Sequence, residues 1–144
     1  MLLLVFLLGA IGTGIELLLL GHTEELWQLM PLTLITISVT IALMWFITGE
    51  RRILRVFQLS MLLWLLAGPL GIVLHYRANV AVERELDPLA RGIPLVREAL
   101  RGTMPALAPG TMFQLGLVGL LCTYKHPATT AGPLRKAKET STSA

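Results

Sequence analysis

Apolar runs of about membrane-crossing length alternate with short charged clusters along most of the chain. The first run, residues 2–20, is close to the roughly 20 residues that cross a hydrocarbon core of about 30 Å. It holds Gly9, Ala10, Gly12, Thr13 and Gly14, with Gly9/Thr13 and Ala10/Gly14 in small-xxx-small spacing. Small faces let a second backbone come close, so this side is predicted to pack on protein and the leucines to face lipid. A polar turn, Gly21 to Glu25, follows, with Trp27 at the boundary between lipid and water. The run lacks a basic n-region and an A-x-A-like site, so it reads as a retained helix and not as a cleaved signal.

The second span is predicted over 31–48, opening at Pro31 because proline is tolerated in a helix's first turn. Thr33, Thr36 and Thr40 share a face from which Ser38 is excluded. Gly49, Glu50, Arg51 and Arg52 turn the chain, and Arg55 carries the basic cluster into a third span at 53–74. Within it, Gly68-Pro69-Leu70-Gly71 is expected to break or kink the helix, freeing a carbonyl near Leu65.

Residues 75–108 form the one sizeable extramembrane segment before the tail. There Leu95, Val96, Ala99 and Leu100 lie opposite Arg97, Glu98 and Arg101, which predicts an amphipathic helix on the membrane surface or on the bundle. A fourth span, 109–124, carries Gln114, Gly116 and Gly119; at 1.5 Å per residue it covers only about 24 Å. It therefore needs a thinned bilayer, an extension through Ala106, or shelter by protein. Residues 1–127 thus form one membrane domain, and 128–144, rich in Ser, Thr, Ala and Lys, form a flexible tail. The predicted fold is an all-α integral membrane bundle of four transmembrane helices, with an interfacial helix between the third and fourth.

Composition agrees: 54% of 144 residues are hydrophobic, above the 45 to 50% or so of soluble domains. Four spans put both termini and the Gly49 turn on one side, with seven of the twelve basic residues, Arg51, Arg52, Arg55, Lys125, Arg135, Lys136 and Lys138. Basic residues favour the cytoplasmic side, so both termini are placed inside, across a bacterial inner membrane. The net charge of +3 does not point to nucleic acid, because the basic residues are scattered over short segments flanking apolar spans.

Candidate chemistry is sparse. Glu16 is the one charged side chain between Met1 and Gly21, and a charge at mid-bilayer costs about 2.5 to 3.5 kcal/mol on insertion scales. With four spans, Glu16, Thr33, Thr36, Gln114 and the Gly68-Pro69 break fall at one depth, where the other groups are expected to satisfy the carboxyl. Such a layer serves as packing glue, or as a site for a proton, ion or headgroup; snorkelling toward lipid is the third possibility. Gly9, Gly12, Gly116 and Gly119 are the expected helix-packing positions.

His22 and His75 end their spans on the outer side and are candidate haem or metal ligands, but no ligand spacing such as HExxH accompanies them. The interfacial explanation suits them better, and no metal site is assigned. Cys122, the single cysteine, sits four residues before His126 at a helix end, and a nucleophilic thiolate needs a third orienting group. No P-loop, GxSxG or dinucleotide fingerprint occurs.

The pattern therefore describes a non-enzymatic accessory or assembly subunit, with membrane lipids and other membrane subunits as partners. A carrier or binding protein for a small molecule, proton or quinone centred on Glu16 is the second reading, and a haem-binding or redox protein using the outer histidines the third. No cofactor is named by the pattern, which leaves lipid, pigment, quinone and haem open.

Overall fold

The computed structural model describes residues 1–24 and 26–124; the predicted tail, Glu25, Lys125 and His126 lie outside them. Among the described residues there are five helices and no strand: α1 (Leu2–Leu19), α2 (Leu26–Thr48), α3 (Arg51–Leu86), α4 (Gly92–Arg101) and α5 (Gly110–Thr123). Three of them, α1, α2 and α3, are long and apolar enough to cross a membrane. α5 is apolar but has only 14 residues, about 21 Å, so among the described residues there is no fourth helix of membrane-crossing length.

The boundaries follow from local chemistry. α1 ends where Gly21 turns left-handed (φ 66°), a conformation open to glycine at little cost. The His22 N–H then reaches the Leu17 carbonyl (2.9 Å) and the Gly21 N–H the Leu18 carbonyl (3.1 Å), the paired bonds of a Schellman end. α2 starts at Leu26, five residues ahead of the expected Pro31. Just before that start, the Gln28 side-chain oxygen accepts the Glu24 N–H (2.9 Å), closing a turn in front of the proline.

The larger correction concerns α3. Instead of breaking at Gly68-Pro69 and ending near residue 74, it continues through Pro69 to Leu86, 36 residues in all. At about 54 Å it exceeds a hydrocarbon core of about 30 Å even at the steepest tilts, about 40°. The excess is the stretch holding Arg77, Glu83, Arg84 and Glu85, whose charges belong in water or among headgroups. An Asp87 carboxylate that accepts the Leu89 N–H (2.9 Å) then turns the chain toward α4.

The contacts divide the chain into two units: Met1–Met61 with the described part of Val118–Ala144, and Leu62–Leu117. In the first, α1 and α2 run antiparallel, Gly14 sitting against Ile35. The centre is aromatic: Phe57 of α3 meets Phe6 edge-on at 5.3 Å and stacks on Trp45 at 5.9 Å. Such pairs add about 0.5–1.5 kcal/mol each beyond the area they cover. α5 closes this unit at Gly119, where an added Cβ would collide with Met61 Sδ and lie 2.7 Å from its Cγ. One helical turn on, Gln58 Nε2 donates to the Thr123 hydroxyl (3.1 Å), which donates to the Leu120 carbonyl (2.8 Å).

In the second unit α5 again runs antiparallel to α3. A Cβ on Gly68 would lie 2.8 Å from the backbone nitrogen of Phe113 and 3.1 Å from the Pro109 carbonyl oxygen; one on Gly71 would lie 2.6 Å from Pro109 Cβ. The Gly-Pro-Leu-Gly segment is therefore a seat for the start of α5. Proline is tolerated inside α3 as it is in many membrane helices, where neighbours and local adjustment compensate for its missing N–H.

Gly68→Ala should accordingly lower stability by about 1–3 kcal/mol, because the new methyl meets backbone that cannot yield cheaply. Gly12→Ala, with nothing within 4 Å of its Cβ, should leave the same unfolding curve unchanged. Far-UV circular dichroism of the two variants during titration from mild detergent into SDS measures both.

Candidate functional site: the outward face of α1

α1 is packed along one stripe only. Phe6, Ala10 and Gly14, spaced at four residues, are buried, while Leu4, Leu8, Ile11, Ile15, Leu18 and Leu19 are exposed. Exposed leucines on a helix of this length are what a lipid solvent allows. Gly12 and Glu16 lie one turn apart on that exposed side. Gly12 has open space where a side chain would be, and the Glu16 side chain makes no hydrogen bond or ion pair among the described residues. The face running through Leu8, Gly12, Ile15, Glu16 and Leu19 is thus apolar, notched at Gly12, and carries one carboxyl about one turn from the helix end.

The residues expected to meet Glu16 are also placed outward. Thr33, Thr36 and Gln114 are exposed, so the sheltered polar layer expected of these four side chains is absent among the described residues. The Thr36 hydroxyl is committed to the Leu32 carbonyl (2.8 Å), and Thr40 to that of Thr36 (2.8 Å). Hydroxyls that bond four residues back satisfy themselves inside their own helix and need no second one. The packed face of α2 is instead Ile35, Ser38, Ala42 and Trp45, which buries the serine set aside in the pattern and turns the threonines out.

The other candidates are distributed as follows. Gly116 and Gly119 are buried on α5, Gly9 is half-buried on α1, and Gly12 is exposed. Gly68 is buried and Pro69 exposed within the unbroken α3. His22 lies half-buried in the turn after α1, and His75 half-buried on α3; both are engaged in contacts within the chain. Among the described residues no three His, Cys, Asp or Glu side chains come together as metal ligands do.

The polar group that organises the second unit is Asn79, which the apolar pattern passed over. It is 1% exposed, and its amide nitrogen donates to the Ala99 carbonyl (2.9 Å) and the Met104 carbonyl (2.7 Å). Its oxygen accepts the Met104 N–H (3.2 Å), and Gly102 lies across it with an added Cβ 2.6 Å from Asn79 Cγ. One side chain therefore ties the end of α4 and the turn after it to α3. The signal available in sequence was its type: asparagine is a poor helix former, so a mid-helix asparagine invites a tertiary explanation. α4 itself buries Leu95 and Ala99 and leaves Ile93, Val96 and Leu100 exposed. The Arg97–Glu98 pair on it (3.0 Å) is solvent-exposed and contributes little.

Comparison with protein-family models, with curated proteins and with solved structures gives no match for the chain.

Asn79→Ala should strand two carbonyls and one N–H, at about 1–3 kcal/mol per buried group left unsatisfied. The expected result is faster hydrogen exchange at the Met104 amide and easier proteolysis after Arg101, with α1 and α2 unaffected; exchange mass spectrometry on the variant checks it.

Proposed function

We propose that the chain is a non-catalytic subunit that associates laterally with another membrane protein through the outward face of α1, and that it serves in assembly or stability of the complex. The observation that carries this is the exposure of Glu16. Ionisable residues inside membrane helices characteristically face a bundle interior or a watery cavity. Here the carboxyl faces away from its own chain and has no partner among the described residues, so a bundle interior around it requires a helix from elsewhere. Gly12, one turn before it, offers the close approach such a helix needs, and the partner chemistry that fits is a hydrogen-bond donor at the same depth: Asn, Gln, His, Lys or Arg.

The exposed apolar tip of the outer arm supports the same reading. Leu86, Leu89 and Ile93, on or beside the charged end of α3, are 76%, 82% and 84% exposed. A groove that α1 helps to line lies at the helix end remote from Glu16, at Leu3.

Purified in a mild detergent, the wild-type chain should travel at a mass well above its own 15.8 kDa, with a defined second membrane protein. Glu16→Leu and Gly12→Leu should each release it as a monomer while its thermal melt is unchanged. A monodisperse wild-type monomer, or variants that keep the partner, would overturn the proposal.

The topology proposed with this function keeps α5 as a crossing segment sheltered by α3, in an inner membrane with both termini on the cytoplasmic side. In a Cys122→Ser background, cysteines replacing Glu50 and Tyr124 should react with an impermeant thiol reagent from the cytoplasmic side, and those replacing Thr23 and Thr103 from the opposite side. Labelling of the Tyr124 position from the same side as Thr103 would leave three crossings.

A further inference from the structure

At the end of α1 remote from Glu16, the first unit has a groove of about 220 Å³ lined by Leu3, Trp45, Phe46 and Gly49. Its opening has a local cause. Gly49 leaves α2 in the left-handed conformation (φ 65°), and a Cβ there would meet nothing within 4 Å. The chain turns toward α3 without a side chain filling the gap. Trp45, stacked on Phe57 and 7% exposed, is held firmly, while Phe46, 74% exposed, stands at the surface. At about 30 Å³ per water-sized group, the space takes about seven methylene-sized groups. The Leu3, Trp45 and Phe46 side chains offer an apolar wall that suits a hydrocarbon chain.

What lies next to the groove narrows the occupant. The residues directly after Gly49 are Glu50, Arg51 and Arg52, followed by Arg55 one turn along α3. Arg52 and Arg55 are exposed; Arg51 is half-buried and engaged within the chain; Glu50 is the one acid in the cluster. A groove walled by Leu3, Trp45 and Phe46 with polar backbone at its rim, beside a net positive turn, matches an amphiphile with a hydrocarbon chain and a negative head. The geometry points to a binding site for a single anionic glycerophospholipid, with an acyl chain along Trp45 and Phe46 and its phosphate answered by Arg52 and Arg55. A surface arginine favours anionic lipid by about five-fold. This site is independent of the α1 face assigned to a protein partner, since it uses none of Leu8, Gly12, Ile15, Glu16 or Leu19.

The groove contains its own reporter in Trp45. The full chain is reconstituted in phosphatidylcholine vesicles containing a small, equal fraction of either brominated-acyl phosphatidylglycerol or brominated-acyl phosphatidylcholine. Quenching of Trp45 is read as the difference between wild type and Trp45→Phe, and that of Trp27 from Trp27→Phe. Brominated phosphatidylglycerol should quench Trp45 several-fold more effectively than brominated phosphatidylcholine and show no such advantage at Trp27. The Arg52→Gln/Arg55→Gln double variant, altered only at exposed positions and checked for wild-type helicity, should bring the two lipids to the same quenching. Equal quenching of Trp45 by both lipids in wild type would overturn the site. So would a preference as large at Trp27, which marks general accumulation of anionic lipid, or one that survives loss of both arginines. Absence of quenching by either lipid would show the groove closed or covered by protein, and would overturn it equally.

Discussion

The structure depends on how near α5 comes to α3. In the second unit the start of α5 rests on Gly68 and Gly71, and in the first unit its end rests on Met61 and Phe57 through Gly119. In a lipid solvent, where tails are as apolar as leucine, burial gives little hydrophobic gain, and what holds membrane helices together is dispersion at close range and hydrogen bonds between them. Glycine allows that range by bringing backbones into contact. With only 14 residues, α5 depends on the same close approach to α3 for its burial.

Two polar contacts complement that packing. Gln58 with Thr123 ties the far end of α5 to the first turns of α3, and Asn79 secures the turn that leads from α4 toward α5. Both are satisfied where they are buried, so each specifies a register instead of costing stability. Asn79 and Thr123 are thus buried polar groups that place helices, whereas the Glu16 carboxyl is turned outward.

The two ends of α1 then differ in chemistry. One end carries the acid and an open glycine; the other borders an aromatic groove and a basic turn. In the proposed reading a partner helix would use the first by hydrogen bonding and close approach, and an anionic lipid the second by charge and shape.

The all-helical class, the three long apolar helices and the amphipathic α4 were legible in the residue pattern, because hydropathy over about 20 residues and a 3.6-residue period are local properties. The small-residue positions were legible as well, but not their partners. Periodicity cannot say which face of α2 turns inward: threonines that bond their own carbonyls are content outside, and Ser38, being small, admits a neighbour. Nor does a Gly-Pro-Leu-Gly segment declare whether it ends a helix or receives another one. That depends on Phe113 and Pro109, some 40 residues away, arriving to pack against the glycines. The partners of Asn79 were hidden for the same reason, since its bonds reach carbonyls 20 and 25 residues along the chain. Local hydropathy determined that these segments are helices suited to lipid; long-range contact alone decided which side chains they hide and which they offer.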